Sequence, residues 1–351
     1  MNTKSLISFL FLLLLFIAPI VAEESCKTDT DSLGKEYPLM MDAMGMDEKY
    51  KQIKLNLPSL SMLDNEQLRN MMQLMGPNYY WPVKNGQSPN QGLLILAHGY
   101  GPDGDLDLFN SLLDFNADYE IILSMGMSMM TSRHIECSVK SFKNQGVETI
   151  FIVPISSTPL NTLVRQWKYI FNIEDNYSYA DVNVLDSQLF KFIEPISDDQ
   201  MAKEIILEYA NEISNKQEEE VVLIIAHGPV SESDNIKELR IMDNIAQYIS
   251  DNSEYSIVKS FTLQDDAGKS IRESNVLKIR TFIDESSKQG KKVLIVSNLM
   301  SGKGIQESIE KDLNGLSYTF NSKGLLTHPK FRTCLSYTSP SPRDRTRSRM
   351  P

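Results

Sequence analysis

Histidine and cysteine are scarce in this chain: 351 residues contain four of one and three of the other. No Cys-x-x-Cys pair and no Cys/His spacing marks a zinc knuckle. The phosphate-binding loop GxxxxGK[ST] is absent, no GxGxxG follows the first strong strand, and no GxSxG elbow is present. Nucleotide binding and the common serine-hydrolase reaction therefore have no support. Positive charge is also short, with 35 Lys and Arg against 46 Asp and Glu and a formal net charge of −11. A chain without a basic excess lacks the face that nucleic-acid phosphates require. It suits cationic cargo, metal ions included.

What is present divides into a globular body and two unusual ends. "MNTKSLISFLFLLLLFIAPIVA" (residues 1–22) has Lys4 before a long apolar run and a small residue, Ala22, at its close. This is the pattern of a signal peptide cleaved after Ala22, which predicts a periplasmic or secreted protein. Contact with a membrane is expected only if the segment stays uncleaved as an anchor. Residues 334–351, "CLSYTSPSPRDRTRSRMP", are rich in Ser, Pro and Arg, have no apolar period, and cannot pack. The tail resembles a translated adapter read-through, in which case it carries no function and the true C-terminus is missing. Setting aside its net +3 and the single Lys4 takes the charge from −11 to −15 for residues 23–333. With Cys334 in the tail, Cys26 and Cys137 remain, and an exported compartment permits a disulfide between them.

The body is 41% hydrophobic and 23% charged over the whole chain, enough for a sizeable core. Residues 23–91 read as a helical extension ending in a Pro/Gly/Asn-rich linker, "NYYWPVKNGQSPNQG". Strands and helices then alternate. In the first unit, 92–217, strands are expected at 93–97, 119–124, 148–154 and 182–185, with helices at 106–116, 133–145, 160–171 and 199–214. In the second, 218–333, strands fall at 221–226, 257–262 and 292–297, with helices at 235–250, 274–289 and 304–313. Short apolar strands joined by helices imply parallel sheets covered on both faces. The units also repeat in their letters. "LLILAHG" (93–99) matches "VLIIAHG" (222–228), and "QGVETIFIV" (145–153) matches "QGKKVLIVS" (289–297).

The duplication places His98 and His227, 129 residues apart, at equivalent strand ends, where open α/β sheets bind ligands. An imidazole there is a proton acceptor at neutral pH and a metal ligand. Gly99 and Gly228 follow and leave room for close approach. The bland alternative is a histidine bonded to a loop carbonyl. Carboxylates come next: Asp103, Asp105 and Asp107 after the first histidine, Glu232 and Asp234 after the second. They fit helix capping or a metal site, while "DGDLD" lacks the full calcium-loop spacing. Met125, Met127, Met129 and Met130 precede His134; thioethers suit Cu(I), or simply fill apolar space. Gly302 and Gly304 lie between a strand and a helix and read either as a plain turn or as a cradle for an anionic group. His328 stands in a terminal loop.

In this order the segments "LLILAHGYG", "MGMSMMTSRHIECSVKSFKNQGVETIFIVPISS", "VLIIAHGPVSESDNIKELRIMDNIAQYI", "TLQDDAGKSIRESNVLKIRTFIDE" and "VLIVSNLMSGKGIQESIEKDLNGLSYTFNSKGLLTHP" resemble the class II tetrapyrrole chelatases of the sirohydrochlorin cobaltochelatase type. The resemblance implies an α/β fold with two similar three-layer α/β/α domains whose parallel sheets face a central cleft. It implies ATP-independent insertion of Co²⁺ or Fe²⁺ into a tetrapyrrole such as sirohydrochlorin. His98 and His227 take the role of the family's strand-end histidine. The chain departs from the family after the third strand of each half, where "VPISSTPLN" and "SNLMSGKGI" carry no histidine. His134, Glu232 and His328 are the candidates for a further metal ligand. Export is a second departure, and it points as well to a non-catalytic carrier of metal or haem. The sequence does not set an oligomeric state.

Overall fold

The computed structural model describes residues 26–39, 45–84, 90–113, 119–302 and 304–331. Residues 1–22, expected to be a signal peptide, and the Ser/Pro/Arg tail lie outside them. Among the described residues no helix is long and apolar enough to cross a membrane.

In chain order the elements are β1 (Thr28–Thr30), β2 (Glu36–Pro38), α1 (Met46–Asn56), α2 (Asn65–Leu74), β3 (Tyr79–Lys84), β4 (Gln91–Ala97), α3 (Gly101–Leu113), β5 (Glu120–Met125), α4 (Arg133–Asn144), β6 (Thr149–Pro154), α5 (Thr162–Ile170), β7 (Phe190–Phe192) and α6 (Gln200–Ile213). A second series follows: β8 (Glu220–Ala226), α7 (Glu232–Asp251), β9 (Ile257–Thr262), α8 (Lys269–Lys288), β10 (Lys292–Ser297), α9 (Ile305–Asp312) and β11 (Thr319–Asn321).

Two sheets result. One has the order β1-β2-β3-β5-β4-β6-β7 and the other β11-β10-β8-β9. Within them β5-β4-β6-β7 and β9-β8-β10-β11 are parallel and share one connectivity, with the first strand of each half between its second and third. The repeat in the letters is thus a repeat in topology. The central strands are apolar throughout because both faces are covered. Leu93, Ile95 and Ala97 of β4 enter the same cluster as Val222, Ile224 and Ala226 of β8, together with Ile205 and Tyr209 of α6 and Met242 of α7. The alternate residues Leu94 and Leu96 face a second cluster under α4 and α5, and Val221, Leu223 and Ile225 face a third with α8 and α9. A strand period of two therefore sorts each run between a shared core and a private one.

Four readings of the sequence need correction. Residues 79–84, taken as linker, form β3, antiparallel to β5 with a register shift between Pro82 and Lys84. Proline lacks the N–H that a regular ladder needs, and this irregularity accommodates it. The extension also carries a hairpin, β1 and β2, that lengthens the first sheet. The strand expected at 182–185 is irregular chain, and β6 pairs instead with the three-residue β7. Helix α3 begins at Gly101 rather than near 106, with Pro102 in its first turn, where a missing N–H costs nothing. Cys26 and Cys137 form a disulfide, 111 residues apart in sequence, that fastens the extension to α4.

Candidate functional site

Beyond the carboxyl ends of six strands lies a cleft of about 400 Å³. His98 follows β4, Met127 follows β5, and Ser156, Ser157 and Thr158 follow β6. From the second half, His227 and Gly228 follow β8, Asp265 and Asp266 follow β9, and Met300 and Gly304 follow β10. The two halves thus converge with corresponding loops, and both strand-end histidines stand on one wall system. Met75, just past α2, brings the extension to the rim.

The turns that present the histidines are alike in form and unlike in room. Gly99 has φ +99° and Gly228 φ +76°, conformations that disfavour any side chain. Among the described residues a Cβ on Gly99 would meet nothing within 4 Å. On Gly228 it would lie 2.8 Å from Thr262 Cβ and 2.9 Å from the Gln264 backbone nitrogen.

His227 Nδ1 bonds the Gly228 carbonyl at 2.9 Å, which makes Nδ1–H the donor and puts the lone pair of the neutral ring on Nε2. His98 is likewise bonded to the Gly99 backbone, and its ring packs edge-on to Tyr100 at 4.4 Å between centroids. Burial lowers the His98 pKa, aided by the charge of His227 and opposed by the Gly99 bond and Asp105. At His227 burial also disfavours the charged form, but Asp266, the Gly228 carbonyl, Asp265 and Glu238 outweigh it and raise the pKa. Asp266 Oδ2 lies 4.0 Å from His227 Nε2. His98 is therefore the imidazole held neutral, with a lone pair available to a metal.

Glu238, on α7, was not singled out in the sequence, where Lys237–Glu238 reads as a solvated pair. Counting back from the buried positions Ile249, Ile245 and Met242 by helical steps puts it on the inner face. It is fully buried, lines the cleft, and accepts a hydrogen bond from Thr158 Oγ1 of the first half. Burial pushes its carboxyl up to about 7, against the pull of Thr158 and His227. One turn earlier, Asp234 pairs with Arg165 of α5 at 2.8 Å. Ser157 Oγ donates to the Asn298 carbonyl at 3.0 Å. These contacts seat the second half on the first.

The other candidates are placed elsewhere. His134 is buried beneath the cleft wall, where its Nε2 lies 3.3 Å from Ser128 Oγ, which also accepts from Trp167 Nε1. Burial drives its pKa down to about 3. His328 pairs with Glu208 at 3.0 Å and packs on the Tyr209 ring of α6. Glu232 is exposed in the first turn of α7 and does not line the cleft. None of these three joins His98 and His227. Gly304 lines the cleft while Gly302 lies beside it, close to the backbone of 322–324. Asp105 accepts from the Tyr79 hydroxyl and the Tyr100 N–H, and Asp103 and Asp107 are exposed on α3. Of the methionine run, Met125, Met129 and Met130 are core, and Met127 alone reaches the cleft. Among the described residues no group of three or more His, Cys, Asp or Glu side chains is gathered for a metal ion.

No protein-family model matches the chain, and no curated protein matches it. Solved structures do. SirB from Bacillus subtilis, a structure with Fe³⁺, aligns over 71% of this chain and 94% of its own, with a TM-score of 0.51 and 16% identity. DR2241 from Deinococcus radiodurans, a multi-domain protein with structural similarity to chelatases and two further domains, aligns over 72% of this chain and 55% of its own, with a TM-score of 0.46 and 12% identity. The chain has a chelatase-like α/β fold.

Proposed function

We propose that this protein binds a divalent metal ion, Co²⁺ or Fe²⁺, at His98 and His227 and inserts it into a tetrapyrrole such as sirohydrochlorin without a nucleotide. The observation that carries the reading is the convergence of two strand-end imidazoles on one cleft, with His227 fixed in the tautomer that points Nε2 away from its own backbone. Two nitrogen ligands leave most of the coordination sphere to water or to the ring, which suits an ion in transit rather than a resident one. Low-pKa His98 remains a ligand as pH falls, because protons compete for it less than for an ordinary imidazole. We place the activity outside the cytoplasm. The signal-like segment at 1–22 and the Cys26–Cys137 disulfide support that placement.

The test is anaerobic and uses the purified protein. Co²⁺ titration followed by absorbance is expected to show a site whose affinity falls at least ~10-fold in H98A and in H227A, about the loss of one ligand's worth of binding. Insertion into sirohydrochlorin is expected to exceed the protein-free control and to fall in both variants. Unchanged Co²⁺ binding in both would remove the cleft assignment. Binding without any insertion would make the protein a carrier of metal or haem on this fold.

A further inference from the structure

We infer that the cleft is also a site for a cuprous ion, held by one imidazole and one thioether from each half: His98 with Met127, and His227 with Met300. The inference shares its two imidazoles with the reading above and needs no tetrapyrrole.

The register of the sheets carries it. β4 and β5 are parallel neighbours with Ala97 level with Met125, and the Gly126 N–H continues the ladder to the Ala97 carbonyl at 2.8 Å. Counting on from that pair sets Met127 level with Gly99, the residue after His98. β8 and β10 are parallel neighbours with Ile225 level with Ser297, and the Asn298 N–H reaches the Ile225 carbonyl at 2.9 Å. Counting on from there sets Met300 level with Gly228, the residue after His227. Each half therefore places a methionine beyond the strand next to its histidine's, at the same offset from that histidine. Neighbouring strands run about 4.8 Å apart. The glycine level with each methionine puts no side chain between thioether and imidazole. All four residues line the one cavity, and Met75 of the extension brings a third thioether to it.

The donors select the ion. Thioether sulfur is a soft ligand that suits Cu⁺, and imidazole accepts the same metal. Methionine is unbranched and flexible, so its sulfur can close on an ion that the strand ends bring near. The lone pair of the neutral His227 ring is on Nε2, turned from its own carbonyl. No lysine or arginine among the described residues lines the cleft, so no fixed cation opposes a monovalent one.

The test uses the whole protein under nitrogen. Cu⁺ is supplied as its coloured bicinchoninate complex, its transfer to the protein is read by absorbance, and Co²⁺ is titrated in parallel. Wild type is expected to take Cu⁺ from the chelator. Met127→Leu and Met300→Leu keep an apolar side chain of similar volume. Each is expected to weaken Cu⁺ binding at least ~10-fold, no less than the loss of an outer-shell partner costs a metal site. Co²⁺, which has less use for sulfur, is expected to lose less than ~2-fold. H98A and H227A are expected to weaken both ions. Copper X-ray absorption is expected to show sulfur scatterers whose number falls in the methionine variants. A Co²⁺ titration matching wild type shows that a variant is folded. Met300 is 6% exposed; if its variant does not fold, Met127→Leu and the wild-type copper spectrum decide. A wild type that takes no Cu⁺, Cu⁺ affinity unchanged in the folded methionine variants, or a copper spectrum without sulfur overturns this inference and leaves the divalent-metal reading standing. Cu⁺ binding with these losses, but no Co²⁺ binding and no insertion into sirohydrochlorin, upholds this inference and removes that reading.

Discussion

At the residue scale, His134 shows how one buried ring sets a pH dependence. Its Nε2 lies beside Ser128 Oγ, and its Nδ1 is a buried atom without a partner, so the cavity offers nothing to a second ring proton. The folded protein resists protonating the ring down to about pH 3, whereas the unfolded chain takes the proton near 6.5. Between these values the unfolded state binds more protons, so stability falls as pH falls, by at most ~1.4 kcal/mol per unit from this group. His134→Gln is expected to flatten the slope of unfolding free energy against pH between about 3 and 6.5, measured by urea denaturation at several pH values. A slope equal to that of wild type would show that the ring is not the titrating group. His134 was legible in the sequence as a candidate ligand because a lone histidine carries no mark of its burial. Glu238 was illegible for the opposite reason: beside Lys237 it looks solvated, and the helix phase that buries it is set by packing against the other half.

At the element scale, the extension depends on its staple. β1 and β2 are three residues each, too short to hold by pairing alone. The disulfide anchors Cys26 to α4 across 111 residues of sequence. Reduction, or a C26S/C137S double variant, is expected to lower stability by about 2–5 kcal/mol, seen as a drop in the thermal midpoint. An unchanged midpoint would mean that β3 and α1 hold the extension without it. The strands expected at 257–262 and 292–297 are β9 and β10 as formed: β10 is an apolar run bounded by turns, and β9, IVKSFT, is a half-exposed run rich in β-branched and aromatic residues. β7 and β11, three residues each, present no period to read. β3 was hidden by Pro82 and by flanking turn residues, although Tyr79, Tyr80, Trp81 and Val83 are all buried.

At the scale of the molecule, one core joins the two sheets. Strands β4 and β8 give their inner faces to a single cluster with α6 and α7 between them, and the Thr158–Glu238 and Arg165–Asp234 contacts close the same boundary. The halves are expected to unfold together. Ile224→Ala, at a fully buried position of that cluster, should cost about 2–5 kcal/mol and lower one cooperative calorimetric transition without splitting it. Two resolved transitions, with one unmoved by the substitution, would show that the halves are energetically separate. The duplicated order of the strands was visible in the repeated letters, whereas the shared core was not, since pairing between distant faces leaves no local trace.

The two glycine turns carry an asymmetry in time as well as in space. A side chain at 99 meets a strained backbone angle and, among the described residues, open space, a cost of about 1–2 kcal/mol that drift elsewhere can offset. At 228 it meets Thr262 and the Gln264 backbone too, and nothing flexible stands there to give way. Copies of a gene are free to diverge where error is cheap. Of two turns that began as the same seven letters, the first is the one with licence to change its residue, and the second holds its glycine for as long as β9 stays where it is.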